Sequence, residues 1–226
     1  MPTPHDDLRA AGRYLFENGL AWGNAGNLSM RLGPDLGLIT ASGTQLGALA
    51  DDDFAEFAWG GGTPRDLGRK PSKEVPMHRA IYEMRPEIGA VLHASPFYST
   101  LVACSDLELR GDLFVEDMYY LERVARVPYA HPGSAALGEA VREQALAANI
   151  LLLDNHGVLV YDTSVKEALM SLHTLEMVCR MTLAARDAGI TLKGLPSTVV
   201  DDFLNRSGYR PRRAWPTLKH DTEASS

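Results

Sequence analysis

The stretch Lys70–His93 reads KPSKEVPMHRAIYEMRPEIGAVLH and contains a helix and a strand in immediate succession. The helix is expected to begin at Pro71, with Ser72 as its N-cap, and to stop before Pro86. Ile88–Leu92 follows as a continuous apolar run, which is typical of a central strand buried on both faces. Such a strand requires other elements to cover both of its faces.

The same alternation of helix and strand continues on both sides of this stretch. Ile150–Leu153 is a second buried strand, and Val158–Val160 continues as a strand after a turn. Apolar periodicity predicts helices at 6–18, 96–104, 132–148 and 164–187, and short strands at 28–32 and 37–40. We therefore expect one layered α/β domain over residues 1–205, with helices on both faces of the sheet. Residues 206–226 are expected to form a tail whose weak pattern would allow partial disorder.

Composition narrows the class of protein. The 226 residues include 45% hydrophobic and 23% charged residues, which is ordinary for a globular domain. The formal charge of −7 argues against a nucleic-acid-binding surface, and the basic stretch Arg206–Arg213 is interpreted as a solvated tail. Cys104 and Cys179 are expected to be buried free thiols. Since neither a signal peptide nor a membrane-spanning run is found, we expect a soluble cytoplasmic protein without membrane or nucleic-acid partners.

Two turns and a helix start could bind an anion. The turn Gly23–Ser29 includes the amide of Asn27, and the turn Thr40–Thr44 includes Ser42 and Gly43. Closely spaced glycines and hydroxyls leave backbone N–H groups free for an anion, although each turn alone could equally be an ordinary turn.

The segment Lys70–Glu74 adds a hydroxyl from Ser72 and a positive charge from Lys73 at the predicted helix N-terminus. Taken alone, Glu74 is more simply interpreted as a residue that stabilises the first helical turn. His78 lies on the apolar face of the same helix and is interpreted as a hydrogen-bonded core residue.

A histidine directly follows each of two buried strands. His93 comes after Val91-Leu92, and His156 comes after the run Ile150–Leu153. An imidazole at such a strand end faces a cleft and is rigidly held, which suits a metal ligand. A single histidine in this setting more often has a structural role. Two histidines in the same setting make a metal site and a structural role equally well supported.

Taken in order, these segments resemble the class II aldolase/adducin family. GNAGNLSMR at 23–31 is similar to the family's G-N-x-S-x-R turn, and LITASG at 38–43 to its (T/S)-x-(S/T)-G turn. The stretch 70–93 resembles the family segment with the acidic catalytic residue and first histidine, and LLLDNHGVLV at 151–160 the one with the last histidine. The resemblance covers about 8–185.

The resemblance implies a three-layer α/β/α sandwich with a central, largely antiparallel sheet. It implies that Glu74 is the acid/base, that His93 and His156 bind a divalent ion, usually zinc, and that a phosphate or other anion is held by Asn27, Ser42, Gly43 and Ser72. The ion would stabilise the enediolate formed when a carbon–carbon bond breaks. A homotetramer with active sites between subunits is also implied.

Two positions depart from the family pattern. The family usually has His-x-His after the buried strand, whereas this chain has Ser95 where the second imidazole is expected. His93, His156 and Glu74 would then form a weaker set of two histidines and one carboxylate. Lys73 resembles the branch of the family that decarboxylates oxidised tetronate phosphates, and it could hold a carboxylate or phosphate.

The leading hypothesis is thus a metal-dependent lyase acting by retro-aldol cleavage or decarboxylation on a small, hydroxylated, phosphorylated carbonyl compound. Zinc is the expected ion, with manganese or cobalt as alternatives. A non-catalytic adducin-like module with a degenerate metal site is the second hypothesis, and a sugar-phosphate epimerase is the third. Tyr119 and Tyr120 are candidates for a proton donor, or packing residues.

Overall fold

The computed structural model describes residues 3–213 and Trp215, and within these residues it contains seven helices. The helices are α1 (Pro4–Glu17), α2 (Val75–Met84), α3 (Phe97–Ala103), α4 (Val115–Tyr120), α5 (Ala135–Gln144), α6 (Val165–Asp187) and α7 (Ser197–Arg206). None of the helices in this described part combines the length and apolar character needed to cross a bilayer.

The strands form one sheet. They are β1 (Asn27–Gly33), β2 (Leu36–Thr40), β3 (Phe54–Ala58), β4 (Ala90–Ala94), β5 (Val124–Val127), β6 (Ile150–Leu153) and β7 (Gly157–Asp162). Their order across the sheet is β3-β2-β1-β4-β7-β6-β5. Neighbouring strands are antiparallel except for β5 and β6, so the predicted largely antiparallel sheet is confirmed.

Helices cover both faces of this sheet because its central strands are apolar on both sides. On one face, α1, α3 and α6 pack on a core that includes Leu8, Leu92 and Leu172. On the other face, α2 and α5 pack on a core that includes Val91 and Ile81. Alternate residues of β4 therefore enter different cores, as the period of two requires. The three-layer α/β/α arrangement is confirmed.

Helix α2 begins later than its sequence suggests. It starts at Val75 with Glu74 at the N-cap, so the prediction of a start at Pro71 with Ser72 as N-cap is wrong. Pro71 instead pairs with Ala41 in an isolated bridge, and the Lys70 carbonyl accepts a hydrogen bond from the Ser42 amide. These contacts hold the chain extended until Ser72.

Several other expectations need correction. The structure adds β3, β5, α4 and α7 to the predicted elements. Cys179 is a buried free thiol as expected, but Cys104 is exposed because it lies at the C-terminal end of the short α3. Arg206–Arg213 is not simply a solvated tail, since Arg210 pairs with Glu167 at 3.0 Å. The expected tail boundary at residue 205 stays a prediction, and Ala214 and residues 216–226 lie outside the described residues.

Candidate active site

A cavity of about 370 Å³ opens at one end of the central strands. It brings together all eight residues that the sequence suggested for the site: Asn27, Ser42, Gly43, Ser72, Lys73, Glu74, His93 and His156. These eight residues come from five segments that are far apart in the sequence and meet at one place. Other residues of the two predicted turns also line it: Asn24, Ala25, Gly26, Ala41 and Thr44. Trp22 and Pro132 line it as well and lie outside the segments that the sequence indicated.

The sheet places both histidines at this end. His93, the fourth residue of β4, lies opposite Asn27 of β1 on one side and Leu159 of β7 on the other. His156 lies in the tight turn between β6 and β7, where Asn155 adopts a positive φ of 55°. Asparagine tolerates this left-handed conformation better than most residues, which makes the tight turn feasible.

Close packing fixes the loop that precedes Asn27. Gly26 has a φ of 88°, and a Cβ at this position would lie 2.6 Å from the carbonyl oxygen of His93. Only glycine avoids this overlap while adopting the left-handed conformation. The loop can therefore approach the end of β4 and bring Asn27 to the side of His93.

Glu74 lies between the two histidines. Its Oε2 is 3.3 Å from Nε2 of His93, and its Oε1 is 3.2 Å from Nε2 of His156. One ligand atom from each of the three residues lies within 4.8 Å of the others. Such a set of two imidazoles and one carboxylate is known in catalytic metal sites.

The hydrogen bonds of His93 orient its ring for such a role. Its Nδ1 is 3.0 Å from the carbonyl oxygen of Val158, which can only accept, so Nδ1 carries the proton. Burial lowers the pKa of His93, even though the nearby Glu74 acts in the opposite direction. The ring is therefore neutral, and the lone pair of Nε2 is directed toward Glu74.

Glu74 is a carboxylate at neutral pH. Burial by itself would raise its pKa, but the nearby imidazoles of His156 and His93 and the hydrogen bond from Asn27 outweigh burial and lower the pKa to about 2. Among the described residues, Oε1 of Glu74 and Nδ1 of His156 are buried without a hydrogen-bond partner. A charged carboxylate with an unsatisfied oxygen, next to two imidazole nitrogens, fits a divalent cation.

Ser95 lies in the same cavity as His93, as the period of two in the strand predicts. Its hydroxyl is 3.4 Å from the carbonyl oxygen of His156, and its own carbonyl accepts a hydrogen bond of 3.0 Å from the indole of Trp22. Trp22 is 63% exposed at the mouth of the cavity. Position 95 therefore offers a small neutral hydroxyl beside the histidine pair.

The same cavity also carries hydroxyls and a positive charge. Ser42, Gly43, Thr44 and Ser72 line it together with Lys73. The Ser72 hydroxyl accepts a hydrogen bond of 3.3 Å from the Glu74 amide, so this segment bends directly into the first turn of α2. The arrangement gives an anion several donors and a point charge near Glu74.

The contacts of Asn27 differ from the sequence expectation. Its amide Nδ2 donates to Oε2 of Glu74 at 2.7 Å, and its Oδ1 lies 2.5 Å from Nε2 of His78. Its role in holding an anion stays a prediction, because its side chain already bonds two protein groups. His78 is fully buried and hydrogen-bonded as predicted, but its link to Glu74 through Asn27 was not foreseen.

These features together define a class of protein. The sequence model described as Class II Aldolase and Adducin N-terminal domain matches residues 6–183. The chain therefore belongs to the class II aldolase/adducin family, as its motifs suggested.

Individual relatives narrow the comparison. The chain is 33% identical to a 3-oxo-tetronate 4-phosphate decarboxylase of Haemophilus influenzae over 199 residues, covering 86% of this chain and 93% of the relative. It is 29% identical to an L-fuculose phosphate aldolase of Methanocaldococcus jannaschii over 171 residues, covering 76% of this chain and 91% of the relative. The crystal structure of YgbL from Klebsiella pneumoniae superposes with a TM-score of 0.77 at 30% identity, covering 88% of this chain and 97% of YgbL. The predicted enzyme class, a lyase of the class II aldolase type, is confirmed.

Proposed function

We propose that this chain is a metal-dependent lyase that decarboxylates a small, hydroxylated 3-oxo acid carrying a phosphate group. The observation that carries this proposal is the convergence of Glu74, His93 and His156 in one cavity with Lys73. Decarboxylation is favoured because the relative at 33% identity is named a decarboxylase.

The proposed metal ligands are His93, His156 and Glu74, and the proposed ion is zinc, with manganese or cobalt as alternatives. Imidazole nitrogen and carboxylate oxygen suit all three ions. When bound, such an ion polarises a substrate carbonyl and stabilises the negative charge that develops as the carbon–carbon bond breaks.

Glu74 is also the proposed catalytic residue, a role that it fills only when it is not held tightly by the ion. As a carboxylate with a pKa of about 2, it enters the reaction as a proton acceptor. Loss of carbon dioxide leaves a carbon that must gain one proton, taken up overall from solvent, and Glu74 can accept that proton and pass it to the carbon. Asn27 and the two histidines hold the carboxylate in one orientation for both transfers.

The anionic groups of the substrate are assigned to the hydroxyls and the positive charge of the cavity. Ser42, Gly43 and Ser72 offer hydroxyls and backbone N–H groups for a phosphate, with Asn27 at its edge. Lys73 lies between this group and Glu74 in the chain and supplies a positive charge for a carboxylate or phosphate. A substrate with an anion at each end would therefore be held with its carbonyl near the histidines.

Two other activities of the same pocket have support of their own. Retro-aldol cleavage of a sugar phosphate, with epimerisation as its variant, is favoured by the similarity to the L-fuculose phosphate aldolase. A non-catalytic adducin-like module is favoured by Ser95, which removes the third imidazole. The retained carboxylate and histidine pair favour an enzyme.

Assembly and location are part of the proposal. We infer a homotetramer, supported by Phe97 and Leu101, which are 67% and 45% exposed and whose apolar surface a second copy could cover. A cytoplasmic location and a role in carbohydrate metabolism are supported by the free thiols of Cys104 and Cys179, which suit a reducing compartment, and by the phosphorylated substrate class.

Metal analysis combined with a carbon dioxide assay tests the proposal. The dialysed full-length protein should bind about one zinc, manganese or cobalt ion per chain. The loaded protein should release carbon dioxide from 3-oxo-tetronate 4-phosphate, and a chelator should stop the release. Release of an aldehyde from a sugar phosphate instead would favour the aldolase. Absence of metal binding at millimolar concentrations would contradict a lyase and favour the binding module.

A further inference from the structure

A chain of buried hydrogen bonds runs from Glu74 into the core between β1 and α2. Beyond Asn27 and His78, Nδ1 of His78 is 2.7 Å from the hydroxyl of Ser29, and that hydroxyl is 2.9 Å from the hydroxyl of Tyr82. Ser29 lies two residues after Asn27 on β1, so both side chains project toward α2. His78 and Tyr82 are one helical turn apart and face β1.

The direction of each hydrogen bond follows from the carboxylate. A charged Glu74 can only accept, so Asn27 must present its NH₂ group to it, and the carbonyl oxygen of Asn27 is left facing His78. That oxygen can only accept, so Nε2 of His78 must carry the proton.

The directions of the remaining hydrogen bonds are then determined as well. A neutral imidazole with its proton on Nε2 has a bare Nδ1, which accepts from the hydroxyl of Ser29. The oxygen of Ser29 in turn accepts from the hydroxyl of Tyr82. In this series of hydrogen bonds, every donor points toward Glu74.

Burial keeps His78 in the neutral form that this arrangement requires. The side chain is fully buried, and burial together with the nearby His93 lowers its pKa to about 3. A neutral imidazole has one N–H group, and the contact with Asn27 uses it.

The N–H group of His78 reinforces the orientation that the carboxylate sets for the Asn27 amide. If the amide rotated by half a turn, its oxygen would face the carboxylate and its NH₂ would face the N–H of His78. Both hydrogen bonds would then be replaced by contacts between like groups, at side chains that are fully buried (His78) or only 5% and 13% exposed (Asn27 and Glu74). A histidine that only filled space would not need one particular tautomer.

We propose that His78 is a positioning residue of the active site, whose Nε2–H group holds the Asn27 amide in the orientation that donates to Glu74, while Ser29 and Tyr82 complete the hydrogen bonds on the other side of the imidazole ring. The effect on turnover rests on the proposed function of Glu74. The tautomer itself can be tested without any activity.

Nitrogen NMR of the imidazole rings in the metal-free, ¹⁵N-labelled full chain tests the tautomer. We expect His78 to be neutral with its proton on Nε2 and His93 to be neutral with its proton on Nδ1, so that the two buried rings give opposite patterns. A proton on Nδ1 of His78, or a doubly protonated ring, would overturn the proposal. This result does not depend on whether the chain is a lyase.

Substitutions test the effect on the reaction. His78→Phe keeps a ring but removes both polar contacts, so kcat should fall at least about 10-fold while KM changes less than about 2-fold. His78→Gln can still donate to Asn27 and should recover most of the lost kcat. Equal kcat values for the two variants, or an unchanged kcat in His78→Phe, would refute a positioning role.

Two tyrosines of the same core provide a matched control. Tyr82 and Tyr161 are 1% and 0% exposed, but the hydroxyl of Tyr161 bonds the carbonyl of Ala148 at 2.8 Å, away from the site. Both Tyr→Phe variants should lower Tm, whereas Tyr82→Phe alone should lower kcat, by about 3-fold or more. A fall in kcat for both, or for neither, would contradict the proposal, even if His78→Phe does not fold.

If the unmodified protein shows no turnover at all, the proposed function fails and the NMR result alone decides the tautomer.

Discussion

At one end of β7, Asp162 pairs with Arg213 at 2.6 Å, and the two side chains are only 9% and 12% exposed. At the other end, beside Gly157, the carboxylate of Glu74, whose side chain is 13% exposed, faces two imidazoles at 3.2 and 3.3 Å. Arginine carries a permanent positive charge, whereas a neutral imidazole carries none. The acid at the first end is already compensated and can only stabilise the fold. The acid at the second end keeps a charge that a cation can neutralise.

The largest expected effect comes from removing that charge. Glu74→Gln keeps the shape of the side chain but cannot accept a proton, so turnover should fall on the order of 10³-fold. Steady-state kinetics measure this, and Glu83→Gln is the matched control, because Glu83 lies on the same helix but pairs with Arg142 outside the cavity. Activity within a few-fold of the unmodified chain would exclude Glu74 as acid/base.

The second largest effect is expected at the Asp162 end of β7, where a substitution should change the stability of the fold. Arg213→Ala leaves Asp162 buried without its cation, which should lower the free energy of unfolding by about 3 kcal/mol. Urea denaturation measures the change, and calorimetric titration with zinc should give an unaltered Kd. Weaker zinc binding would show that the two ends of the sheet are coupled.

A third prediction concerns the missing imidazole. Ser95→His should tighten zinc binding by about 10-fold, because position 95 faces the same cavity as His93 and a nitrogen ligand would replace a neutral hydroxyl. Ser95→Ala should bind zinc as the unmodified chain does. If the alanine variant loses affinity, the serine hydroxyl itself takes part in the site.

The smallest effect is expected for an ion pair exposed to solvent. Arg206 and Asp202 pair at 3.2 Å on α7, with side chains 76% and 61% exposed. Arg206→Ala should change the free energy of unfolding by less than about 0.5 kcal/mol, since water screens the pair. The same urea series measures this change. A loss of stability comparable to that of Arg213→Ala would mean that burial does not explain why the two ion pairs should differ.

The central part of the fold was predictable because its signals are local. Ile88–Leu92 is a continuous apolar run that overlaps β4, the middle strand, and Ile150–Leu153 is a second run that coincides with β6. The histidines that follow them could be selected for the same reason. Their separation in the sequence does not matter once both strands are assigned to one sheet.

Other elements depend on partners that are distant in the sequence. Glu56 interrupts the apolar residues of β3, and the strand is stable because its buried carboxylate accepts hydrogen bonds from Arg65. The short β5 places Arg126 beside Asp154, at 2.8 Å. Neither pairing leaves a periodic pattern, so neither strand could be predicted.

The same limit applies to the site. Asn27 was correctly placed in the cavity, but its amide contacts Glu74 and His78, which lie 47 and 51 residues away in the sequence. The predicted start of α2 is wrong because Pro71 pairs with Ala41 and this pairing keeps the segment extended. That contact, too, is between residues far apart in the sequence. Identities and approximate positions were thus accessible from the sequence, whereas orientations required the folded chain.

The indole of Trp22 has a practical consequence. It lines the cavity, is 63% exposed, and is tied to the backbone of Ser95 by its ring nitrogen. A small molecule that enters the cavity displaces water from this ring, so its fluorescence should shift to shorter wavelength. The chain therefore carries its own optical reporter of ligand entry, and Trp22→Phe would silence it.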